Sequence, residues 1–187
     1  MSVQINRRHF TVFEYEQMVK TGLLTEQDQV ELIEGEVLEM SPIGSRHAAC
    51  VDRLVKLVAG SGIMSSAILR VQSPIRLNDF SEPQPDMTLL RPRADFYAAQ
   101  HPLPADVLLV VEVADTSADY DRRIKVPLYA RAGIPEVWLI DLTGESVEVY
   151  AQPQGGEYQT TQQVGRGSTV NAHSLAQLTV GVDDVLG

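Results

Sequence analysis

The alternation of apolar and polar positions predicts a chain that mixes β-strands with helices. The apolar run Val107–Val113 is typical of a strand buried on both faces of a sheet. Between Ser45 and Ala59, apolar residues recur at the 3.6-residue spacing of an amphipathic helix. Shorter apolar runs predict further strands over residues 67–72, 74–77, 87–90, 136–141, 146–151 and 157–163. We expect an α/β fold in which helices flank a mixed sheet.

Local patterns predict two elements near the amino terminus, and a further short strand and helical turn are expected in the tail. Thr11 and Glu14 have the spacing of a capping box, so a helix starts here and ends near Lys20. Residues 30–40 are expected to form a β-hairpin around Gly35, which tolerates the positive φ of a tight turn. The tail, residues 175–185, is expected to form a short strand and a helical turn.

A longer helix is predicted between the central strand and the strand at 136–141. Its candidate N-caps are Thr116, Ser117 and Asp119. It should end near Ala132, because Gly133 follows. Pro127 lies inside this span and predicts a kink or a tightened turn.

Composition narrows the class of protein. At 187 residues, with 44% hydrophobic and 21% charged residues, we expect one domain covering residues 1–187. No apolar run approaches the roughly 20 residues that span a bilayer, and the amino terminus lacks a signal-peptide core. A single cysteine, Cys50, excludes an intrachain disulfide and a cysteine zinc site. We therefore expect a cytoplasmic protein without a membrane partner.

The net charge of −10 opposes non-specific attraction to nucleic acid. A local basic patch is still compatible with this total. Seven basic residues lie in the central region: Arg70, Arg76, Arg91, Arg93, Arg122, Arg123 and Lys125. Ordinary solvated surface charges explain them equally well.

Three residues carry the chemistry that the sequence offers. Asp86 opens a predicted strand, and Glu112 lies inside the most apolar one, where an unpaired charge costs several kcal/mol. If these strands are neighbours, the two carboxylates meet at one sheet edge and suit Mg²⁺ or Mn²⁺. Lys125, on the following helix, would orient a water molecule or stabilise a developing oxyanion.

Simpler interpretations compete with this one. Asp121 and Lys125 stand at i and i+4 and would form a weak surface ion pair. Glu112 would form a buried ion pair with an arginine. Asp86, taken alone, is a turn residue after a proline.

Further candidates have weaker signals. Glu31 interrupts an apolar strand and could bind metal or support it, whereas His47, on the amphipathic helix, is more simply a satisfied core histidine. Tyr129 and Trp138 are most simply core aromatic residues, and Cys50 a small buried hydrophobe.

From about Phe10 to its carboxyl terminus, the chain resembles the Uma-two family of restriction-endonuclease-like proteins, in the PD-(D/E)XK nuclease superfamily. The residues that carry the resemblance are Glu31–Val37, His47, Pro85-Asp86, Val111–Val113, Asp121–Lys125, Tyr129 and Gly133–Asp141. The segment Glu112–Asp141 is its most specific part.

The resemblance implies a restriction-endonuclease-like sheet and a metal site held by Asp86 and Glu112. The superfamily's lysine usually follows the second acid by two positions, where this chain has Ala114, so Lys125 would take the role. Three further residues would lie around the site: Glu31, His47 and Asp121. Where the family often has a Ser-Pro-Ser sequence, this chain has residues 114–117, Ala-Asp-Thr-Ser.

The expected function is a Mg²⁺- or Mn²⁺-dependent endonuclease that hydrolyses DNA, acting as a homodimer by analogy with restriction enzymes. An alternative is a catalytically inactive module that kept the nuclease fold and binds nucleic acid or protein. A third possibility is a site acting on another phosphate ester or small molecule.

Overall fold

A computed structural model describes residues 7–25 and 27–187. Part of the signal-peptide expectation concerns residues 1–6, which lie outside this range. The strands are β1 (Val30–Ile33), β2 (Glu36–Glu39), β3 (Ile68–Val71), β4 (Met87–Leu90), β5 (Val107–Ala114), β6 (Glu136–Asp141), β7 (Ser146–Gln154), β8 (Glu157–Gly165), β9 (Thr169–Asn171) and β10 (Thr179–Gly181). The α-helices are α1 (Val12–Lys20), α2 (Ser45–Gly60), α3 (Ala118–Tyr120), α4 (Val126–Ala132) and α5 (Val182–Leu186).

Six strands form one mixed sheet in the order β3-β4-β5-β6-β7-β8. β5 and β6 are parallel, and every other neighbouring pair is antiparallel. The remaining strands form two antiparallel pairs, β1-β2 and β9-β10. The predicted fold class, a mixed sheet flanked by helices, is confirmed.

The sheet separates two hydrophobic layers. Side chains alternate along a strand, so Val111 and Val113 of β5 pack on the side of α2 and α5. Val110 and Ala114 pack on the opposite side, against α4 and the β1-β2 hairpin. Glu112 is two residues from both Val110 and Ala114, so its side chain points to the same face of the sheet and into the second layer.

The amino-terminal predictions are confirmed. Thr11 caps α1, its hydroxyl accepts from the Glu14 amide, and the Glu14 side chain bonds back to the Thr11 amide. Gly35 closes the β1-β2 hairpin with φ +83°, a value that strains other residues.

The crossover between β5 and β6 begins and ends near the predicted residues, but it is interrupted. A π-helical segment, Asp121–Lys125, separates α3 from α4. It ends two residues before Pro127, which lacks the amide hydrogen that a regular helix uses there. Ser117 is the N-cap residue by position, although its side chain makes no capping hydrogen bond.

One local prediction was wrong, and one short strand was not predicted. Residues 74–77 form no assigned strand, because three prolines in the paired segments, Pro74, Pro83 and Pro85, donate no backbone hydrogen bonds. The short strand β9 was not predicted, because three residues are too few to show the alternating pattern of a strand. In the part of the chain that the structure describes, none of the helices has the length and hydrophobicity needed to cross a bilayer.

Candidate active site

A cleft of about 700 Å³ opens beside the carboxyl end of β5, between the β1-β2 hairpin, the start of α2 and the π-helical segment. It contains every site residue that the sequence analysis selected. These are Glu31, His47, Asp86, Glu112, Asp121 and Lys125.

Glu112 and Lys125 form the buried half of the site. The Lys125 Nζ atom lies 3.3 Å from Glu112 Oε1 and 3.1 Å from Glu31 Oε2, and both glutamates are buried. Tyr129 donates a 2.6 Å hydrogen bond to the same Oε1 atom of Glu112. The expectation that an arginine pairs with Glu112 is therefore wrong, because a lysine and a tyrosine contact this carboxylate.

Asp86 is fixed from two sides just before β4. Its Oδ2 atom accepts a 2.8 Å bond from the Val113 amide and lies 3.0 Å from His47 Nε2. Its Oδ1 atom receives a longer contact, 3.4 Å, from Gln72. His47 therefore lines the cleft and orients Asp86, which corrects its interpretation as a core histidine.

Asp121 is buried at the start of the π-helical segment, where the Ser117 hydroxyl donates a 2.8 Å bond to it. No ion pair between Asp121 and Lys125 is found among residues 7–25 and 27–187. The predicted surface pair is wrong, because the π-helical turn directs the Lys125 amine to Glu31 and Glu112.

The cleft concentrates negative charge. Burial raises the pKa of Glu112 to about 8, against the attraction of Lys125, and the carboxylates of Asp121, Asp86 and Glu31 raise it further. Burial also raises the pKa of Asp121. The surrounding carboxylates outweigh the opposing burial of Lys125 and hold its pKa above the ordinary value. Among the described residues, six acidic ones thus line the cleft with one lysine and one histidine, a balance that favours a bound cation. They are Glu31, Glu39, Asp86, Glu112, Asp115 and Asp121.

Tyr129 was missed by the sequence analysis as a site residue. Its ring packs in the core as predicted, but its hydroxyl reaches Glu112. The available signal was its i+4 spacing from Lys125, which places both side chains on one helical face. Gln72 and Gln84 also line the cleft, and neither had a distinguishing sequence pattern.

The comparison with protein families decides the affiliation of the chain. A family model named Uma2, with the description "Putative restriction endonuclease", matches residues 12–183. The chain belongs to the Uma2 family. The family predicted from the sequence is therefore confirmed. Among curated proteins, none matches this chain.

A solved structure supports the fold of this Uma2 protein. It is described as a putative nuclease belonging to DUF820 from Anabaena variabilis ATCC 29413. The TM-score is 0.75 at 19% identity, and the match covers 95% of this chain and 97% of that chain. At this identity the likeness shows a shared fold.

Restriction-endonuclease-like families usually depend on a metal, and the donors in this cleft fit a small divalent cation. Among the described residues, no hydrogen bond is found for Glu112 Oε2, so one hard oxygen is left for a ligand. The same residues contain no ready group of three His, Cys, Asp or Glu ligands. Two carboxylates with water completing the shell are, however, a usual Mg²⁺ arrangement.

Proposed function

We propose that this Uma2 protein is a Mg²⁺- or Mn²⁺-dependent endonuclease that hydrolyses DNA phosphodiester bonds. The observation that carries the proposal is the convergence of Asp86, Glu112 and Lys125 in one cleft. The family description and the nuclease-type fold agree with it. In this proposal Asp86 and Glu112 hold the metal, which lowers the pKa of a bound water molecule when present.

The remaining groups would position the reactants. Val113 and His47 fix Asp86 Oδ2, and Tyr129 fixes Glu112 Oε1. Among the described residues, Glu112 therefore keeps one oxygen without a protein donor, and the second oxygen of Asp86 has only the long 3.4 Å contact from Gln72. The buried ammonium of Lys125 would stabilise negative charge that develops on the phosphate oxygens. Glu31 would hold this ammonium in place at 3.1 Å.

The proposal extends to assembly and location. One cleft cuts one strand, so cleavage of both strands of DNA would require two copies, and we propose a homodimer. Cys50 is a free, buried thiol, which agrees with the proposed reducing environment of the cytoplasm.

The test is cleavage of supercoiled, linear and single-stranded DNA and of RNA by the purified protein with Mg²⁺, Mn²⁺ or EDTA. We expect metal-dependent cleavage of DNA by the wild type and none by Asp86→Asn, which should keep its thermal unfolding temperature within a few degrees. Calorimetry with Mn²⁺ alone should show binding to the wild type and not to Asp86→Asn. Mn²⁺ binding without cleavage of any substrate would favour the inactive nuclease-fold module instead.

A further inference from the structure

A second cleft of about 670 Å³ lies beside α1 and the edge strand β3. It is formed by the middle of α1, strand β3, the loop 76–82 and the loop 97–103. Its polar side chains include Glu16, Arg70, Arg76, Asp79, Glu82 and His101. None of these six residues belongs to the candidate active site.

Glu82 gives this cleft an unmet hydrogen-bonding requirement. The residue is only 5% exposed, and its Oε2 atom is buried with no hydrogen-bond partner among the described residues. Its backbone amide donates a 2.8 Å hydrogen bond to the Leu32 carbonyl in β1, so the hairpin fixes the position of this residue. Burial raises the pKa of this carboxyl to about 7. A ligand that supplied a donor would remove the cost of the orphaned oxygen.

Two arginines bring positive charge to a cleft that also contains three acidic residues, Glu16, Asp79 and Glu82. The Arg70 guanidinium lies over the Tyr97 ring at 5.6 Å and donates one bond to the Phe96 carbonyl. The Arg76 guanidinium bonds Asp79, which is largely exposed at the rim. Arg122, by contrast, is bound by Glu148 and Asp119 elsewhere in the fold.

The loop that forms the wall of the cleft is strained. Phe96 and Tyr97 have consecutive positive φ angles, +49° and +58°, which aromatic residues rarely adopt. The Tyr97 hydroxyl anchors this loop by donating to the Arg91 carbonyl. Backbone strain of this kind clusters at binding sites.

The two clefts share none of their described lining residues, but nearby positions on the same two segments line one cleft each. Arg70 lines the second cleft, and Gln72, two residues further along the chain, lines the first. Two residues of extended chain span roughly 6.5 Å. Glu82 and Gln84 repeat this division on the neighbouring segment, where Gln84 bonds the Gln72 carbonyl at 2.6 Å. On both segments, backbone positions that line the two clefts are therefore about one nucleotide step apart.

We propose that the second cleft binds the nucleotide adjacent to the scissile phosphate, with Arg70 and Arg76 on its phosphate and Glu82 accepting an N–H of its base. This inference rests on the proposed nuclease function. A nucleotide offers both an anion to the arginines and a donor to Glu82, and it is the ligand that the proposed nuclease function would bring to this surface. The cleft would then contribute strand affinity through the arginines and base preference through the glutamate.

The phosphate contact is tested by the salt dependence of binding to a labelled single-stranded oligonucleotide in EDTA, followed by fluorescence anisotropy. We expect Arg70→Gln to weaken binding about tenfold at low salt and to reduce the slope of log K against log salt by about 0.7, as for one lost phosphate contact. The matched control is Lys56→Gln, which removes one positive charge from the outer side of α2. It should change the slope little.

The base contact is tested with four homopolymeric oligonucleotides. The wild type should discriminate between the best and worst base by about tenfold, and Glu82→Gln should reduce this to about twofold. The unfolding temperature of Glu82→Gln should equal or exceed that of the wild type, because an orphaned carboxyl is removed. Unchanged base preference in this variant would contradict the assignment of Glu82.

Failure of this inference is distinguishable from failure of the proposed function. If the wild type cleaves DNA but Arg70→Gln behaves like Lys56→Gln in affinity and slope, the second cleft is not a phosphate site and the nuclease proposal stands. If the wild type neither binds nor cleaves any oligonucleotide, both proposals are wrong. Calorimetry should show the same Mn²⁺ affinity for Arg70→Gln as for the wild type, since the first cleft is unchanged.

Discussion

Two buried glutamates on neighbouring parallel strands have opposite surroundings. Glu136 on β6 is fully buried, and both its oxygens are satisfied. Trp138 donates to Oε1 at 2.7 Å, and Ser174 donates to Oε2 from its amide at 2.7 Å and its hydroxyl at 2.8 Å. Glu112 on β5 is 3% exposed, and its protein donors meet Oε1 alone.

The difference separates a structural carboxylate from one that is available for chemistry. Glu136 joins β6 to the segment before β10, and its donors leave no oxygen for a ligand. Glu112 has one oxygen fixed and lies in a cleft crowded with other carboxylates. Burial alone does not distinguish them, whereas the count of satisfied oxygens does.

The largest expected effect is on catalysis by Glu112→Gln. This change keeps the size of the side chain but removes a charge, so metal-dependent DNA cleavage should fall by at least about 1,000-fold. Stability should stay about equal, because burial raises the pKa of Glu112 to about 8 and thus favours a neutral side chain, which the amide resembles. Plasmid nicking and thermal unfolding measure the two effects. Cleavage within tenfold of the wild type would contradict the inference that Glu112, unlike Glu136, takes part in the chemistry.

The matched change at the other glutamate should act on stability. Glu136→Ala leaves the Trp138 indole and the Ser174 amide without their acceptor, so the free energy of unfolding should fall by about 2–4 kcal/mol. Urea denaturation at fixed pH measures this loss. Cleavage per folded molecule should be unchanged, and a selective loss of activity would show that Glu136 also serves the site.

The burial of Glu112 could be predicted from the sequence better than that of Glu136, and the reason is physical. Glu112 interrupts a long apolar run, so its burial was predictable from local pattern. Glu136 starts a strand after a proline, where an exposed residue is equally common. Its main partner, Ser174, is 38 residues away in sequence, and no local periodicity encodes such a contact.

The acids of the site were predictable, whereas the arrangement around Lys125 was not. Spacing on a regular helix pairs Lys125 with Asp121, but the π-helical segment rotates the lysine towards β1 and β5. The strand predictions succeeded where apolar residues alternate and failed at 74–77, where prolines remove the ladder donors. Side-chain partners across the sheet require the tertiary fold.

The next effect is a pH dependence of stability without metal. The pKa of folded Glu112 is about 8 and its ordinary value is 4.5. Between these values the folded state holds a proton that the unfolded state has released, so the free energy of unfolding falls as pH rises. One such proton contributes at most about 1.4 kcal/mol per pH unit.

Glu82 contributes to the same trend, because its raised pKa of about 7 has the same sign. Its contribution should end near that value, whereas the slope from about pH 7 to about pH 8 should come from Glu112 together with His47, whose pKa is raised by its hydrogen bond to Asp86. Urea denaturation in EDTA should therefore show that Glu112→Gln reduces this upper slope and that Glu82→Gln does not. Equal slopes in the wild type and Glu112→Gln would contradict the raised pKa.

The smallest expected effect concerns Tyr129→Phe, which removes the hydroxyl that fixes Glu112 Oε1. The stability loss should be about 1 kcal/mol, as for one hydrogen bond. Mn²⁺ affinity, measured by calorimetry, should fall about tenfold, because partners that orient a ligand contribute to metal binding. The matched control is Tyr150→Phe, which removes a hydroxyl bonded to Glu148, outside the cleft. It should lose similar stability but bind Mn²⁺ like the wild type. Equal Mn²⁺ affinities in the two variants would mean that Tyr129, like the donors of Glu136, serves only the fold.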